Sequence, residues 1–396
     1  MAEPSTQPMP GRLLSLDAYR GFIMLAMASG GLGIVQLVNE DQESNMLWEK
    51  IAYQLDHSAW RGCSFWDLIQ PAFIFMVGVA MVYSYDRRRA DGQSWLRMFL
   101  HAMWRSVVLV LLGVFLASAG KPQTEWVFTN VLAQIGLGYT FVFLLLGRAP
   151  WVQVVAAVLI LAADWTAFAL HPLPGLDFYW VDVGVYPDWE HMRGFARHWE
   201  KNVNFAAHFD RWLLNLFPRP VDEPFKYNPG GYTTLNFVPS IATMILGVLA
   251  GEGLRSAKHS PREKLSVVLI IGTLGIILGS ILDETICPVI KRIWTPSWVI
   301  YSGGWVCLML GAFYGVIDVF RLRRWAFPLV VAGTNSIAMY LMAQLSKGWL
   351  RETLRTHAGQ KPFSGPNGPI IESLGVLFIM WLVCFWMYRR KIFLKI

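Results

Sequence analysis

The run HSAWRGCSFWDLIQPAFIFMVG holds the pair of side chains best suited to chemistry, His57 and Asp67, set ten residues apart where polar sequence gives way to apolar. Imidazole titrates nearest neutrality, so His57 can take a proton from a hydroxyl or ammonium group and return it, or carry an acyl group itself. Asp67 falls just inside the apolar run, where a lone carboxylate needs a partner that His57, Arg61 or a later helix could supply. Between them Trp60 offers an aromatic face to a substrate. A histidine at a membrane interface also serves as a plain polar anchor, and on the residues alone both readings stand.

Two further groups place polar residues where a membrane penalises them. RLLSLDAYRGF contains Arg12, Ser15, Asp17 and Arg20, with Asp17 and Arg20 three apart and so on one helix face. This is either an anchor with a local ion pair or part of a site for a phosphate-rich ligand. The second group is dispersed: Asn130 and Gln134 in TNVLAQIGLGY, Asn236 in NPGGYTTLNFVPS, and Thr334, Asn335 and Ser336 in AGTNSIAMYL. Such residues either hydrogen-bond between helices, at about 1 kcal/mol per contact, or line a polar cavity. The four cysteines form no CxxC pair and read as small apolar fillers, with no metal site implied.

These residues must be held by membrane helices. The 396-residue chain is 55% hydrophobic and 15% charged, with a mean hydropathy of +0.40, more apolar surface than one water-soluble core hides. The apolar residues come in long blocks rather than as a helical stripe, as in helices surrounded by neighbours and lipid. At roughly 20 residues per span, about ten are expected, near 16–38, 64–85, 102–120, 128–147, 150–170, 235–253, 265–283, 298–320, 326–346 and 370–388. The fold class is therefore an all-α integral membrane protein, a single domain over 1–396.

Basic clusters fix the orientation. Arg87–Arg89, the Arg255–Lys264 stretch, Arg321–Arg324 and the run from Arg389 to Lys395 follow even-numbered spans, so both termini face the cytoplasm. The net charge of +7 is then a topology and membrane-surface signal, not a nucleic-acid footprint. The first residues lack a basic n-region and cleavage site, so no leader is expected to be removed. The segment 171–234 is the one long extracytoplasmic loop. It is too aromatic for disorder, and its length suits a functional element folded over the membrane domain. Its aromatic faces among carboxylates and guanidinium groups suit sugar rings, and suit an interfacial belt equally.

Six strings in one order, RLLSLDAYRG, HSAWRG with DLIQPAFIFMVG, VLAQIGLGY, YNPGGYTTLNFVPSIATMILGVLAGE, AGTNSIAMYL and YRRKIFLKI, cover nearly the whole chain. It resembles the membrane acyltransferases typified by heparan-alpha-glucosaminide N-acetyltransferase. The chain departs from the family at Gln70, an ordinarily aromatic position, and in Asn39, the nearest counterpart of an asparagine after the first conserved span.

The resemblance implies an enzyme that takes acetyl-CoA from the cytoplasmic side and acetylates an amino sugar, or an envelope glycan, on the far side. His57 matches the family's histidine, and Asp67 would orient it. Arg12, Asp17, Arg20, Lys391 and Lys395 would sit where CoA phosphates arrive. Asn130, Gln134, Asn335 and Ser336 are candidates for holding the donor or its oxyanion, and Trp60 and Asn236 for the acceptor. A homodimer in a bacterial cytoplasmic membrane, bathed by lipid, is the setting implied. The rival classes are a transporter or flippase, against which the lack of an internal repeat counts, and a catalytically silent scaffold of the same fold.

Overall fold

The computed structural model describes residues 13–40, 45–175, 177–219, 221, 223–365 and 367–394. Arg12 and Lys395, expected near the donor phosphates, lie outside the described residues, as does the side chain of Asn39. The described residues form helices and turns and no strand. Eight helices are long and apolar enough to cross a membrane: α1 (Leu14–Val38), α2 (Trp66–Ala90), α3 (Trp95–Ser118), α5 (Pro150–Ala169), α6 (Thr234–Arg255), α7 (Pro261–Thr285), α8 (Pro296–Val319) and α10 (Gly368–Arg389).

The two remaining expected spans are present in altered form. Between α3 and α5, α4 (Val131–Leu145) has 15 residues, about 22 Å against a hydrocarbon core of about 30 Å. Preceding α10, α9 (Arg324–Thr334 with Ser336–Leu345) bends by 69°. The bend is at Asn335, whose φ of −123° and ψ of 42° interrupt the helix. There the Asn335 side-chain amide donates to the Ile392 carbonyl at 3.1 Å and accepts from the Leu394 N–H at 3.2 Å. A side chain thus pairs with the irregular segment that follows α10 as a backbone would.

Lipid tails are as apolar as leucine, so close backbone packing rather than hydrophobicity joins these helices. Glycines permit it where α1 crosses α9 and where α2 crosses α6. A Cβ on Gly21 would stand 1.7 Å from the Leu329 carbonyl oxygen, and one on Gly78 would stand 2.0 Å from that of Met244. Gly333 and Gly247 meet backbone in the same way from the partner helices. Gly21→Val is therefore expected to destabilise the protein by about 3 kcal/mol, read as a lowered thermal midpoint in detergent. Gly253→Ala, with open space around its Cβ, should leave the midpoint in place.

Chain alternation puts the basic clusters at one end of the bundle, where Arg255 pairs with Asp86 and Lys264 donates to the Leu254 carbonyl at 2.9 Å. At the other end the long loop folds into a cap. Helix Phe205–Leu213 and several 3-10 turns hold buried Trp199, stacked on Phe168 of α5 at 6.3 Å. Buried Glu200 accepts from the Trp189 indole at 2.9 Å and the Met192 N–H at 2.8 Å. Trp199 is thereby spent on the cap's core and its seat over the helices, while Tyr179, Tyr186, Phe195 and Trp212 stay exposed.

Candidate active site

α2 begins with a single 3-10 turn, Trp66–Leu68, which turns the Asp67 carboxylate back toward the loop that precedes it. Its Oδ2 accepts the backbone N–H groups of Ser58 and Ser64, both at 3.1 Å, and the Ser58 hydroxyl at 2.8 Å. Its Oδ1 lies 2.8 Å from His57 Nδ1 and 3.3 Å from Lys291 Nζ. Lys291 Nζ is also 3.0 Å from His57 Nδ1, closing a triangle. The Asp67 and Lys291 side chains are 1% and 4% exposed against 36% for His57, so the imidazole alone reaches toward solvent.

A carboxylate only accepts, so a 2.8 Å contact requires a proton on His57 Nδ1. Nε2 is then left with its lone pair outward, and no described residue bonds it. The Lys291 ammonium, with donors only, is directed at the same Oδ1 and neutralises it. Burial pushes the Lys291 amine down to about 8, with the neighbouring Asp67 charge opposing the shift. An ammonium that loses its proton near neutrality beside a base is a mark of functional sites.

Lys291 rides on the α7–α8 connection, whose residues 287–295 are largely buried. Buried connections need internal partners for their backbone, and these are present. Thr295 Oγ1 donates to the Pro288 carbonyl at 2.8 Å, Gly62 N–H donates to Val289, and the Asn236 amide donates to the Arg292 carbonyl at 2.8 Å. Trp294 holds a φ of +53°, a left-handed conformation that costs a non-glycine residue energy. Its indole is anchored 3.2 Å from Thr243. Arg292 spans the site's rim, donating to the carbonyls of Gly230 at 2.8 Å and Ser58 at 3.2 Å.

Sequence reasoning missed Lys291 although a signal was present. CPVIKRIWTP places two adjacent cations among apolar residues in a short loop between prolines, where a charge needs a partner.

Of the residues expected to take part, His57 and Asp67 are in direct contact. Gln134, fully buried on α4, accepts from Gln70 at 3.0 Å, and Gln70 lies one turn below Asp67 on α2. The departure at Gln70 thus makes a polar pair directly beneath the triad. Asn130 caps α4 by accepting the Leu132 N–H at 2.9 Å and receives the Tyr340 hydroxyl from α9 at 3.1 Å.

Trp60 is buried under the cap, its indole donating to the Trp199 carbonyl at 3.1 Å, and Asn236 is a buried brace of the Lys291 loop. Neither presents a face to a ligand. Asp17 and Arg20 lie on α1 toward the basic end, with the Asp17 backbone against Gly333. Asn335 and half-buried Ser336 stand at the α9 bend. Lys391 occupies the left-handed turn that ends α10. These lie away from His57, in the half that would receive a cytoplasmic ligand. The four cysteines are free thiols. Among the described residues no group of three or more histidine, cysteine or carboxylate side chains is placed to hold a metal.

Residues 12–184 match the family model described as heparan-alpha-glucosaminide N-acetyltransferase, catalytic; they include His57 and Asp67 and stop short of Lys291. The chain is 24% identical over 430 residues to heparan-alpha-glucosaminide N-acetyltransferase of Homo sapiens, with 98% of this chain and 60% of that protein covered. To the enzyme of that name from Mus musculus it is 25% identical over 432 residues, with 97% and 60% covered. The chain thus spans about 60% of the length of the curated relatives it matches.

Proposed function

We propose, from the chain's similarity to heparan-alpha-glucosaminide N-acetyltransferases, that it is a transmembrane acetyltransferase. It moves an acetyl group from cytoplasmic acetyl-CoA to an amino sugar or envelope glycan on the far side of a bacterial cytoplasmic membrane. The observation that carries this reading is the His57–Asp67–Lys291 triangle, with one imidazole nitrogen directed outward.

In the direct route, His57 Nε2 takes a proton from the acceptor amine as its nitrogen forms a bond to the thioester carbonyl carbon. When the C–S bond breaks, His57 returns a proton to the leaving thiolate. The products are CoA and the N-acetyl sugar. In the covalent route Nε2 itself bonds the thioester carbonyl carbon, the C–S bond breaks and CoA leaves as its thiolate; the acceptor amine then attacks the acetyl-imidazole, the C–Nε2 bond breaks, and the amine's proton passes to the released Nε2. Asp67 holds the ring in one tautomer and stabilises the imidazolium in either route. The Gln70–Gln134 pair, with Gln134 Nε2 buried and unbonded by protein, supplies a donor for the developing oxyanion. Rapid-quench single turnover separates the routes, since only the covalent one accumulates acetyl-enzyme.

Lys291 adds a pH signature. Below about 8 its ammonium donates to Asp67; above that value the neutral amine can accept the Nδ1 proton and draw the imidazole away from Asp67. Activity is therefore expected to fall as pH rises through about 8, and this alkaline limb should be absent in Lys291→Met. A wild-type profile flat across that range would contradict the assigned role.

The broken α9 gives a specific reason to weigh transport, because discontinuous helices line many transport sites. One assay separates the readings. The purified protein is expected to release CoA from acetyl-CoA faster when glucosamine is added, whereas a transporter or scaffold would bind without turnover.

A further inference from the structure

α3 carries Arg97, His101 and Arg105 at steps of four residues, so all three fall on one helix face. Arg105 lies ten residues into α3, about 15 Å from its start, in a helix long and apolar enough to cross a membrane, where an ionised side chain marks function by default. His101 and Arg105 face α2 and α4, while Arg97 is exposed nearer the helix start. Arg88 Nη2 is 2.6 Å from His101 Nε2, the Tyr85 ring meets His101 edge-on at 6.2 Å, and the Arg105 guanidinium lies 4.9 Å over the Tyr139 ring.

No ion pair among the described residues links Arg88, Arg97, His101 or Arg105 to a carboxylate. Asp86, on the same helix as Arg88, is taken by Arg89 and Arg255. Two buried atoms of the cluster, Arg105 Nε and His101 Nδ1, have no protein hydrogen-bond partner, where buried polar groups are nearly always satisfied. Uncompensated cations and unmet donors together call for an anion with several acceptor oxygens.

We propose that the cluster of Arg88, His101 and Arg105, where α2, α3 and α4 face one another, binds a phosphate mono- or diester that arrives from the cytoplasmic side. Guanidinium forks match phosphate oxygens in pairs, and Arg88 and Arg105 supply one from each flank. Two molecules carry this chemistry to that surface: an anionic phospholipid, whose headgroup lies beside the exposed Leu96 and Leu100 of α3, and the nucleotide end of CoA. The lipid source is independent of whether acetyl transfer occurs, and the CoA source rests on that proposed function.

The test uses the full chain in phosphatidylcholine nanodiscs, wild type beside Arg105→Gln and Arg88→Gln, with circular dichroism as the check on folding. In one arm phosphatidylglycerol is titrated into the discs and the thermal midpoint followed; in the other, CoA and its dephospho form are titrated calorimetrically. A saturable rise of the midpoint with phosphatidylglycerol, weakened at least tenfold in either variant, identifies a lipid site. CoA affinity reduced at least tenfold in the variants, with the lipid response unchanged, identifies a nucleotide site. If a folded variant responds to both probes as wild type does, the proposal is overturned. Arg88, nearer the helix end, supplies that comparison should Arg105→Gln fail to fold.

Discussion

His57→Ala is expected to lower acetyl transfer by about 10²- to 10⁴-fold, the range for removing a positioned acid–base group, with CoA affinity unchanged. The imidazole touches protein through Nδ1 alone and is the most exposed member of the triangle, so its loss leaves no buried group unmatched except one lobe of Asp67. That lobe keeps its contact with Lys291. The defect should therefore appear in kcat with a thermal midpoint near that of wild type. A large fall in midpoint would assign His57 to structure instead.

Asp67→Asn should be nearly as damaging, for a different reason. The Ser58 and Ser64 N–H groups require an acceptor at the Oδ2 position, so the amide oxygen must take that place and the NH2 group must turn toward His57 and Lys291. An NH2 there donates to Nδ1, moves the imidazole proton to Nε2, and removes the base. It also faces the Lys291 ammonium, donor against donor. A loss of about 10²- to 10⁴-fold in kcat is expected, in line with a wrong tautomer at a catalytic histidine. A stability cost of about 1–3 kcal/mol should accompany it, since buried groups lose their match. Steady-state kinetics with chemical unfolding of the same preparation checks both numbers.

Much of the bundle is legible in the sequence because apolar blocks are a strong signal: each expected span has a helix, most within a few residues of the expected limits. The two irregular ones were legible in place but not in shape. The run around α4 reads as a full span because flanking residues such as Val127 and Phe128 are apolar, yet they stay extended ahead of the Asn130 cap. The α9 run hides its break because Asn335 acts through Ile392 and Leu394, far along the chain, and no local pattern encodes that pairing.

The site divides in the same way. His57 and Asp67 are close in sequence and legible as a pair. Lys291 is separated from His57 by 234 positions and joins them only through tertiary packing. Trp60 and Asn236 drew attention as polar or aromatic residues at a membrane boundary, where a brace and a binding residue look alike in one sequence. Only the bonds to Trp199 and to the Arg292 carbonyl mark them as braces.

The central claim, that an acetyl group crosses the membrane at His57, is tested most directly in sealed vesicles carrying the protein with its basic helix ends outward. Acetyl-CoA labelled in the acetyl group is supplied outside and glucosamine is trapped inside. The account predicts labelled N-acetylglucosamine in the lumen, CoA remaining outside, and neither product with His57→Ala. Acetylated sugar that forms only when both substrates share one side, or that forms equally with His57→Ala, would contradict it.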